Sequence, residues 1–327
     1  PGIQTCARPS SDPDLKPAYQ DVIADITDKM GNGMADYAAE DAAGNFDGLE
    51  TIADYDLYCH HVAGIVGEGI TRMAEIAKYI SGPAVSDPSL YESMGLFLQK
   101  TNIIRDYRED MDEGRSFWPK EVWKKYATHL SDFTEPKNRQ NGLHCISELM
   151  LLSLAHVTDC LQYLSNVEEP SLFRFCAIPQ VMSIASLELV FNNPKVFETN
   201  VKIKKPLAVR LILDSGSMHN VYQIFHHFVI QIHQKNVPTD PNFFKIELMC
   251  ARIVQYINEH DAEGQAAISR YSAIHDKRRS LLGFSVSEED FEMYSGIAMG
   301  ITLFGSVLLL MFGTAVYFGA RLPQYDN

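Results

Sequence analysis

Three acidic residues stand close together in the segment IIRDYREDMDEGRSFWP, residues 103–119. Asp106, Glu109 and Asp110 are spaced three and four residues apart, so they share one face of a helix. Like charges at this spacing repel each other, and a divalent cation would relieve that repulsion. Mg²⁺ binds one or two carboxylates together with the phosphate oxygens of a substrate. The pattern therefore has two interpretations, a Mg²⁺–diphosphate site or a solvated helix end.

Two amides and two arginines favour the first interpretation. Gln99 and Asn102 continue the acidic face by further steps of three and four residues, and Arg105 and Arg115 lie beside it. Arginines next to a metal-bound diphosphate offset the charge of a leaving group. Without these neighbours the solvated helix end would be the better interpretation, because such spacing often arises by chance.

Aromatic residues supply a second group of candidates. Tyr58 opens the segment YCHHVAG, and a tyrosine in an apolar cavity can act as a weak acid or base or present its ring to a carbocation. A core tyrosine with a satisfied hydroxyl is the commoner alternative. Phe173 and Phe175 precede Pro179, which we expect at a helix N-terminus or a kink. These phenylalanines either line an apolar tunnel or pack in the core.

The segment NVKIKKPLAV, residues 200–209, is the densest basic run in an otherwise acidic body. Lys202, Lys204 and Lys205 can clamp phosphate groups, such as the 2′-phosphate of NADPH. A solvated loop and a contact with anionic lipid are the alternatives.

Helices are needed to position these candidates. Alternating β-branched runs bounded by turns are nearly absent, whereas apolar residues at helical spacing recur along the chain. The helix that carries the acidic face begins after a cap at Ser86 or Asp87. We predict helices within residues 18–38, 55–77, 90–110, 142–166, 175–191, 208–235 and 246–271. The sequence therefore predicts an all-α body at residues 1–283.

Composition limits the class of protein. The chain has 327 residues, of which 46% are hydrophobic, and this proportion suits a packed globular core. Its net charge of −14 argues against nucleic-acid binding. The six cysteines form no CxxC pair and lie mostly in apolar helical runs. We therefore expect reduced, buried thiols facing the cytosol rather than disulfides or a zinc site.

An uncharged segment lies near the C-terminus. Residues 295–320 contain no charged side chain, and about 20 apolar residues suffice to cross a bilayer as a helix. A buried core helix is the alternative. Length and position favour a transmembrane anchor, preceded by a tether at residues 284–294 and followed by a tail at residues 321–327. Such an anchor would leave the body on the cytosolic side.

Four segments together resemble the squalene synthase family: YCHHVAG, SMGLFLQKTNIIRDYREDMDEGRSFWP, FCAIPQVM and VKIKKP. The resemblance extends from about Tyr19 onward and includes the C-terminal anchor. It implies the all-helical class I isoprenoid (terpenoid) synthase fold with one C-terminal transmembrane helix. It also implies farnesyl-diphosphate farnesyltransferase activity in sterol biosynthesis. Two farnesyl diphosphates would join to presqualene diphosphate with Mg²⁺, and NADPH would then reduce this intermediate to squalene. We expect a monomer in the endoplasmic reticulum membrane.

The resemblance also implies roles for the candidate residues. Asp106 and Asp110, with Glu109, match the second aspartate-rich motif of the family, which binds metal. The other matches lie next to substrate or NADPH: Tyr58 for the first step, Phe175 near the cation of the second step, Gln99, Asn102 and Arg115 for substrate, and Arg105, Lys202 and Lys204 for NADPH.

One motif of the family has no counterpart in the sequence. A first aspartate-rich motif belongs in the N-terminal third, but DITDKM and DYD differ from it in spacing and surroundings. We expect upstream residues to supply this motif, and we predict that the 327-residue chain alone makes no squalene. Two other functions stay open: a non-catalytic tail-anchored scaffold with this fold, and a phytoene-synthase-like prenyltransferase that works without NADPH.

Overall fold

The computed structural model describes residues 15–42, 48–262 and 264. In these residues the chain forms thirteen α-helices, α1 to α13 in chain order: Pro17–Ala42, Ile52–Cys59, Ile65–Ala77, Pro83–Ser86, Pro88–Arg105, Tyr107–Asp112, Lys120–Trp123, Arg139–Leu154, Val157–Ser165, Pro170–Val190, Lys205–Asp214, Met218–Lys235 and Phe243–His260. The β contact recorded in this part of the chain is an isolated bridge between Ile80 and Val167. The predicted all-α class is confirmed, while the predicted tether and anchor lie outside the described residues.

Helix α5 lies at the centre of the fold. Its N-terminus is capped by Asp87, whose carboxylate accepts a hydrogen bond from the Ser89 N–H at 3.0 Å, and Pro88 occupies the first turn. The helix packs against α3, α8, α9 and α10. Phe97 and Ile104 are fully buried in these contacts. Because α5 is enclosed by its neighbours, its polar side chains are held in defined positions.

The predicted helix at residues 90–110 is broken at Asp106. This residue ends α5 and precedes α6, with φ −90° and ψ 14°. Its amide still donates to the Asn102 carbonyl at 2.8 Å, and the Asp110 amide donates to the Asp106 carbonyl at 2.9 Å. The chain therefore keeps a helical course through the break, but the single acidic face that the sequence predicted is interrupted there.

The predicted helix at residues 55–77 contains a π-helical turn, His60–Gly64, between α2 and α3. The turn packs closely on α5, since a Cβ added to Gly95 would lie 2.5 Å from the backbone of Ala63. Glycine is required for this approach. Because a π turn holds one residue more than an α turn, it changes which side chains of α2 and α3 share a face.

Of the two positions expected for Pro179, a helix N-terminus or a kink, the structure excludes the first. Pro179 lies inside α10, which begins at Pro170, so it is not at a helix N-terminus. Glu169 caps this helix instead, because its carboxylate accepts a hydrogen bond from the Leu172 N–H at 2.6 Å.

Helix α10 is part of the core. Among the described residues it is the one helix long and apolar enough to cross a membrane, and 61% of its apolar window is buried inside the protein. The free thiols in the same part of the chain are also buried, as the sequence predicted: Cys59, Cys145, Cys160, Cys176 and Cys250. Both observations describe a helical body with a dense interior.

Candidate active site

A largely apolar cavity of about 350 Å³ lies between the π turn, α3, α5, α9 and α10. Its wall includes Val62 and Met94, and α5 adds the amide side chains of Gln99 and Asn102. Phe175 also lines the cavity and is 62% exposed, so it lies where the cavity meets solvent. Such a cavity suits a hydrocarbon ligand that a few polar groups orient.

Two further polar residues of the wall are bonded to the protein. The Tyr163 hydroxyl lies 2.8 Å from the Thr71 hydroxyl, and the Gln180 amide nitrogen donates to the Met94 carbonyl at 3.0 Å. The Gln180 carboxamide oxygen is buried and has no hydrogen-bond partner in the part of the chain that the structure describes. The wall therefore contains one unpaired acceptor. Neither Tyr163 nor Gln180 was expected at a site, because both lie in ordinary apolar helical runs.

One helical turn beyond Asn102, acids and arginines meet. We call Arg105, Asp106, Asp110 and Arg115 the charged cluster. Arg105 forms a fork with Asp106, with Nε 2.8 Å from Oδ1 and Nη2 2.6 Å from Oδ2. Arg115 Nη2 donates to Asp110 Oδ1 at 3.2 Å. The Nε atom of Arg115 is buried without a hydrogen-bond partner among the described residues, which makes it a suitable donor to an anionic oxygen.

The surroundings of Asp110 change the pKa of its carboxyl group. Its side chain is 14% exposed, and burial raises the pKa of this carboxyl to about 6. Arg115 opposes the rise in pKa, and the like charge of Asp106 adds to it. The two carboxylates are therefore close enough to repel each other, and a shared cation would relieve that repulsion.

Tyr58 lies beside the charged cluster in an aromatic stack. Its ring centroid is 5.0 Å from that of Phe117 in a stacked arrangement, and 5.2 Å from that of Tyr37 in an edge arrangement. The Arg115 guanidinium lies 6.0 Å from the Phe117 ring centroid. Burial raises the pKa of Tyr58 to about 12, so the phenol stays protonated at neutral pH and can donate a hydrogen bond. The contact between Phe117 and Tyr58 was not predicted. The only local signal was the position of Phe117 two residues after Arg115 in the segment RSFWP.

Glu109 contacts the segment at residues 200–204, which we call the basic loop. Its Oε2 accepts from Asn200 Nδ2 at 3.2 Å and from Lys202 Nζ at 3.4 Å. The basic loop is thereby brought next to α6. Lys204 is exposed and occupies the cap position before α11. Glu109 therefore contacts the basic loop, whereas Asp106 and Asp110 pair with arginines of the charged cluster. The sequence predicted one shared face for all three acids.

The carboxylates offer the oxygen donors that Mg²⁺ prefers. No group of three or more His, Cys, Asp or Glu side chains is close enough to hold a metal ion within the described ranges. Asp106 and Asp110 offer two such oxygen donors, and their role as a pair of Mg²⁺ ligands, completed by water or substrate, stays a prediction. Glu109 as a third ligand stays a prediction.

The chain is similar to known proteins of one family. Residues 14–206 match the profile of the squalene/phytoene synthase family. A squalene synthase from Yarrowia lipolytica is 54% identical over 242 residues, which cover 74% of this chain and 54% of that protein. A squalene synthase from Eremothecium gossypii is 46% identical over 302 residues, which cover 90% of this chain and 68% of that protein.

A solved structure is similar in fold. The complex of TcSQS with a ligand superposes with a TM-score of 0.71 at 37% sequence identity, covering 76% of this chain and 71% of that chain. The chain spans about half the length of several curated relatives it matches, for example 55% of the squalene synthase of Saccharomyces cerevisiae. The matched residues include the cavity, the charged cluster and the basic loop. The chain therefore belongs to the squalene/phytoene synthase family.

Proposed function

We propose that the protein is a squalene synthase, which joins two farnesyl diphosphates to presqualene diphosphate and reduces this intermediate with NADPH to squalene. The observation that carries the proposal is the path of α5 from an apolar cavity to the charged cluster. Asn102 lines the cavity, and Asp106 lies one turn further along the chain. A substrate made of a hydrocarbon chain and a diphosphate needs these two surroundings side by side.

The charged cluster suits the diphosphate. Bound Mg²⁺ would neutralise the charge that develops on the leaving diphosphate, and Asp106 and Asp110 are the residues that would hold it. Arg115 contributes an unpaired, buried Nε–H, which we assign as a donor to the diphosphate oxygens. The protonated hydroxyl of Tyr58 donates a hydrogen bond as charge builds on the diphosphate.

The cavity suits the farnesyl chain. Its apolar wall excludes water, so an allylic cation formed when the diphosphate leaves is protected from attack by water. Phe175 at the opening of the cavity is the aromatic residue that we assign to the cation of the second step. Gln99 and Asn102 lie on the wall of the cavity. We assign their amides to orienting the substrate between its farnesyl chain and its diphosphate.

The basic residues of the loop suit NADPH, which supplies the hydride of the second step. Arg105, Lys202 and Lys204 are the residues that we assign to its phosphate groups. The contact of Lys202 with Glu109 supports this assignment, because it brings the basic loop beside the helix that carries the acids. Anchoring in the endoplasmic reticulum membrane by residues 295–320, with the body in the cytosol, is part of the same proposal and rests on the uncharged sequence of that segment.

Two proteins test this function: the 327-residue chain, and the same chain extended by the parts of the Yarrowia relative that it does not span. Each is incubated with labelled farnesyl diphosphate and Mg²⁺, with and without NADPH. We expect the extended protein to make presqualene diphosphate without NADPH and squalene with it. An unreduced hydrocarbon formed without NADPH would indicate a phytoene-type synthase. Unconsumed farnesyl diphosphate would indicate a non-catalytic scaffold.

A further inference from the structure

A lysine is buried in the middle of α5. Lys100 is 2% exposed, and its ammonium group touches three other segments. Nζ lies 2.7 Å from Oδ1 of Asp56 on α2, 2.9 Å from Nε2 of His156 between α8 and α9, and 3.4 Å from the carbonyl of Leu152 on α8. An unpaired ammonium is costly to bury, and these partners offset that cost.

The hydrogen bonds around Lys100 have a defined direction. An ammonium group can only donate, so His156 accepts at Nε2 and carries its proton at Nδ1. That Nδ1–H donates to the Ser93 hydroxyl at 3.0 Å, and Ser93 donates to Asp159 Oδ2 at 2.8 Å. We call Asp56, Lys100, His156, Ser93 and Asp159 the lysine chain. It ties α5 to α2 at one end and to α9 at the other.

The lysine chain reaches the level of the candidate site. Asp56 precedes Tyr58 by two residues on α2, and Lys100 precedes Asn102 by two residues on α5. Tyr55 adds to the same junction, because its ring lies 5.7 Å from Lys100 Nζ and its hydroxyl donates to the Lys100 carbonyl at 3.4 Å. The ion pair therefore sets the spacing of α2 and α5 where one carries Tyr58 and the other leads to the charged cluster.

We propose that Lys100 is a positioning residue, whose ion pair with Asp56 and hydrogen bond to His156 hold α2 and α5 so that Tyr58 meets the charged cluster. The proposal rests on the proposed function. Lys100 acts through Tyr58 and does not touch the reacting atoms. A lysine with a purely structural role would affect stability alone, whereas a positioning residue affects turnover by the folded protein.

The test uses the extended protein with Lys100→Met, Asp56→Asn and both together. We expect Lys100→Met to lower kcat by about 10- to 100-fold while KM changes less than about twofold, because a displacement of about 1 Å at reacting groups can cost 10²-fold in rate. Asp56→Asn should act in the same direction. The double variant should lose no more than Lys100→Met alone, because both changes break one ion pair.

Lys235→Met is the matched control. Lys235 also joins two helices, since its Nζ lies 2.6 Å from Glu188 Oε1 of α10, but it is outside the candidate site. Its kcat should match that of the unaltered protein. The positioning role is wrong if folded Lys100→Met and Asp56→Asn both keep kcat within about twofold of the unaltered protein.

If Lys100→Met does not fold, Asp56→Asn decides, because the Asp56 side chain is 45% exposed and tolerates an amide. If the unaltered protein consumes no farnesyl diphosphate, the proposed function fails. The placement of Tyr58 is then judged by the NMR signals of its ring in the folded variants. Signals that shift in Asp56→Asn and not in Lys235→Met support the role, and unshifted signals in Asp56→Asn overturn it.

Discussion

His156 makes the stability of this protein sensitive to mild acid. Its Nε2 accepts a hydrogen bond from the Lys100 ammonium at 2.9 Å, so a proton on that nitrogen would break the contact and place two positive charges together. Burial, with a smaller contribution from Lys100, lowers the pKa of His156 to about 3. Lys100 and Ser93 of α5 face the imidazole, and Asp159 lies behind Ser93.

The size of the effect follows from proton linkage. An unfolded histidine has a pKa of about 6.5, so below that pH the unfolded chain takes up a proton that the folded protein does not. Stability therefore falls as pH falls, by about 1.4 kcal/mol for each pH unit below about 6.5. Between roughly pH 7.5 and pH 5 the loss amounts to about 2 kcal/mol, and it continues until the pH approaches the folded pKa.

The change to test is His156→Gln, which keeps an acceptor for Lys100 and removes the titrating ring. Urea unfolding of the unaltered chain and the variant at about pH 5 and about pH 7.5 gives the free energy of unfolding for each. We expect the unaltered chain to lose about 2 kcal/mol more than the variant over this range. Asp110 titrates in the same range but is present in both proteins, so the difference between them isolates His156.

His129→Gln is the control, because that side chain is 75% exposed and its loss also removes one imidazole. It should leave the pH dependence of unfolding close to that of the unaltered chain. NMR titration of the His156 ring gives a direct check. A His156 ring that titrates near about pH 6.5, or an equal pH dependence in the His156→Gln variant, would refute the reasoning.

Three other predictions follow from the site and the packing. Asp106→Asn and Asp110→Asn in the extended protein should each lower farnesyl diphosphate consumption by at least about 10²-fold, with less than about 1 kcal/mol lost in urea unfolding because repulsion between the two acids is relieved. Near-normal turnover in either variant would rule out the ligand assignment. Lys204→Ala should let presqualene diphosphate accumulate at the expense of squalene, measured as the product ratio by chromatography, and an unchanged ratio would contradict the NADPH assignment. Gly95→Ala should destabilise the chain by about 2 kcal/mol or more, since its Cβ would lie 2.5 Å from the Ala63 backbone. Gly31→Ala, also helical but with open space around the new Cβ, should instead stabilise it by about 0.5–1 kcal/mol, and equal effects on the free energy of unfolding would contradict the packing argument.

Local spacing explains what could be predicted for the charged cluster. Gln99, Asn102, Asp106 and Asp110 are three or four residues apart, and residues at that spacing lie near each other on any helix. The structure places the two amides on the cavity wall and the two acids in the charged cluster. Their proximity follows from the helical repeat, while the roles assigned to them stay predictions. Glu109 instead contacts Asn200 and Lys202, about 90 positions further along the chain, and no local repeat predicts such a contact.

The helical spacing of the sequence did not predict contacts between residues that are far apart along the chain. Phe117 stacks on Tyr58 although 59 positions of sequence number separate them, and Gln180 approaches Met94 across 86 positions. Nothing in the residue types near Lys100 indicated that His156, 56 positions away, would be its partner. Each of these contacts requires two helices to pack in one particular register.

Periodicity and local motifs depend on neighbours along the chain, so they were enough to predict the helical class, the family resemblance and the acids and arginines that we assign to a diphosphate. The enclosure of the cavity side of α5, the aromatic rings that meet Tyr58 and the partners of the buried lysine became visible only in the folded chain. Those features depend on the free energy of packing helices that are far apart in sequence. That free energy belongs to the arrangement of the helices and not to any one segment.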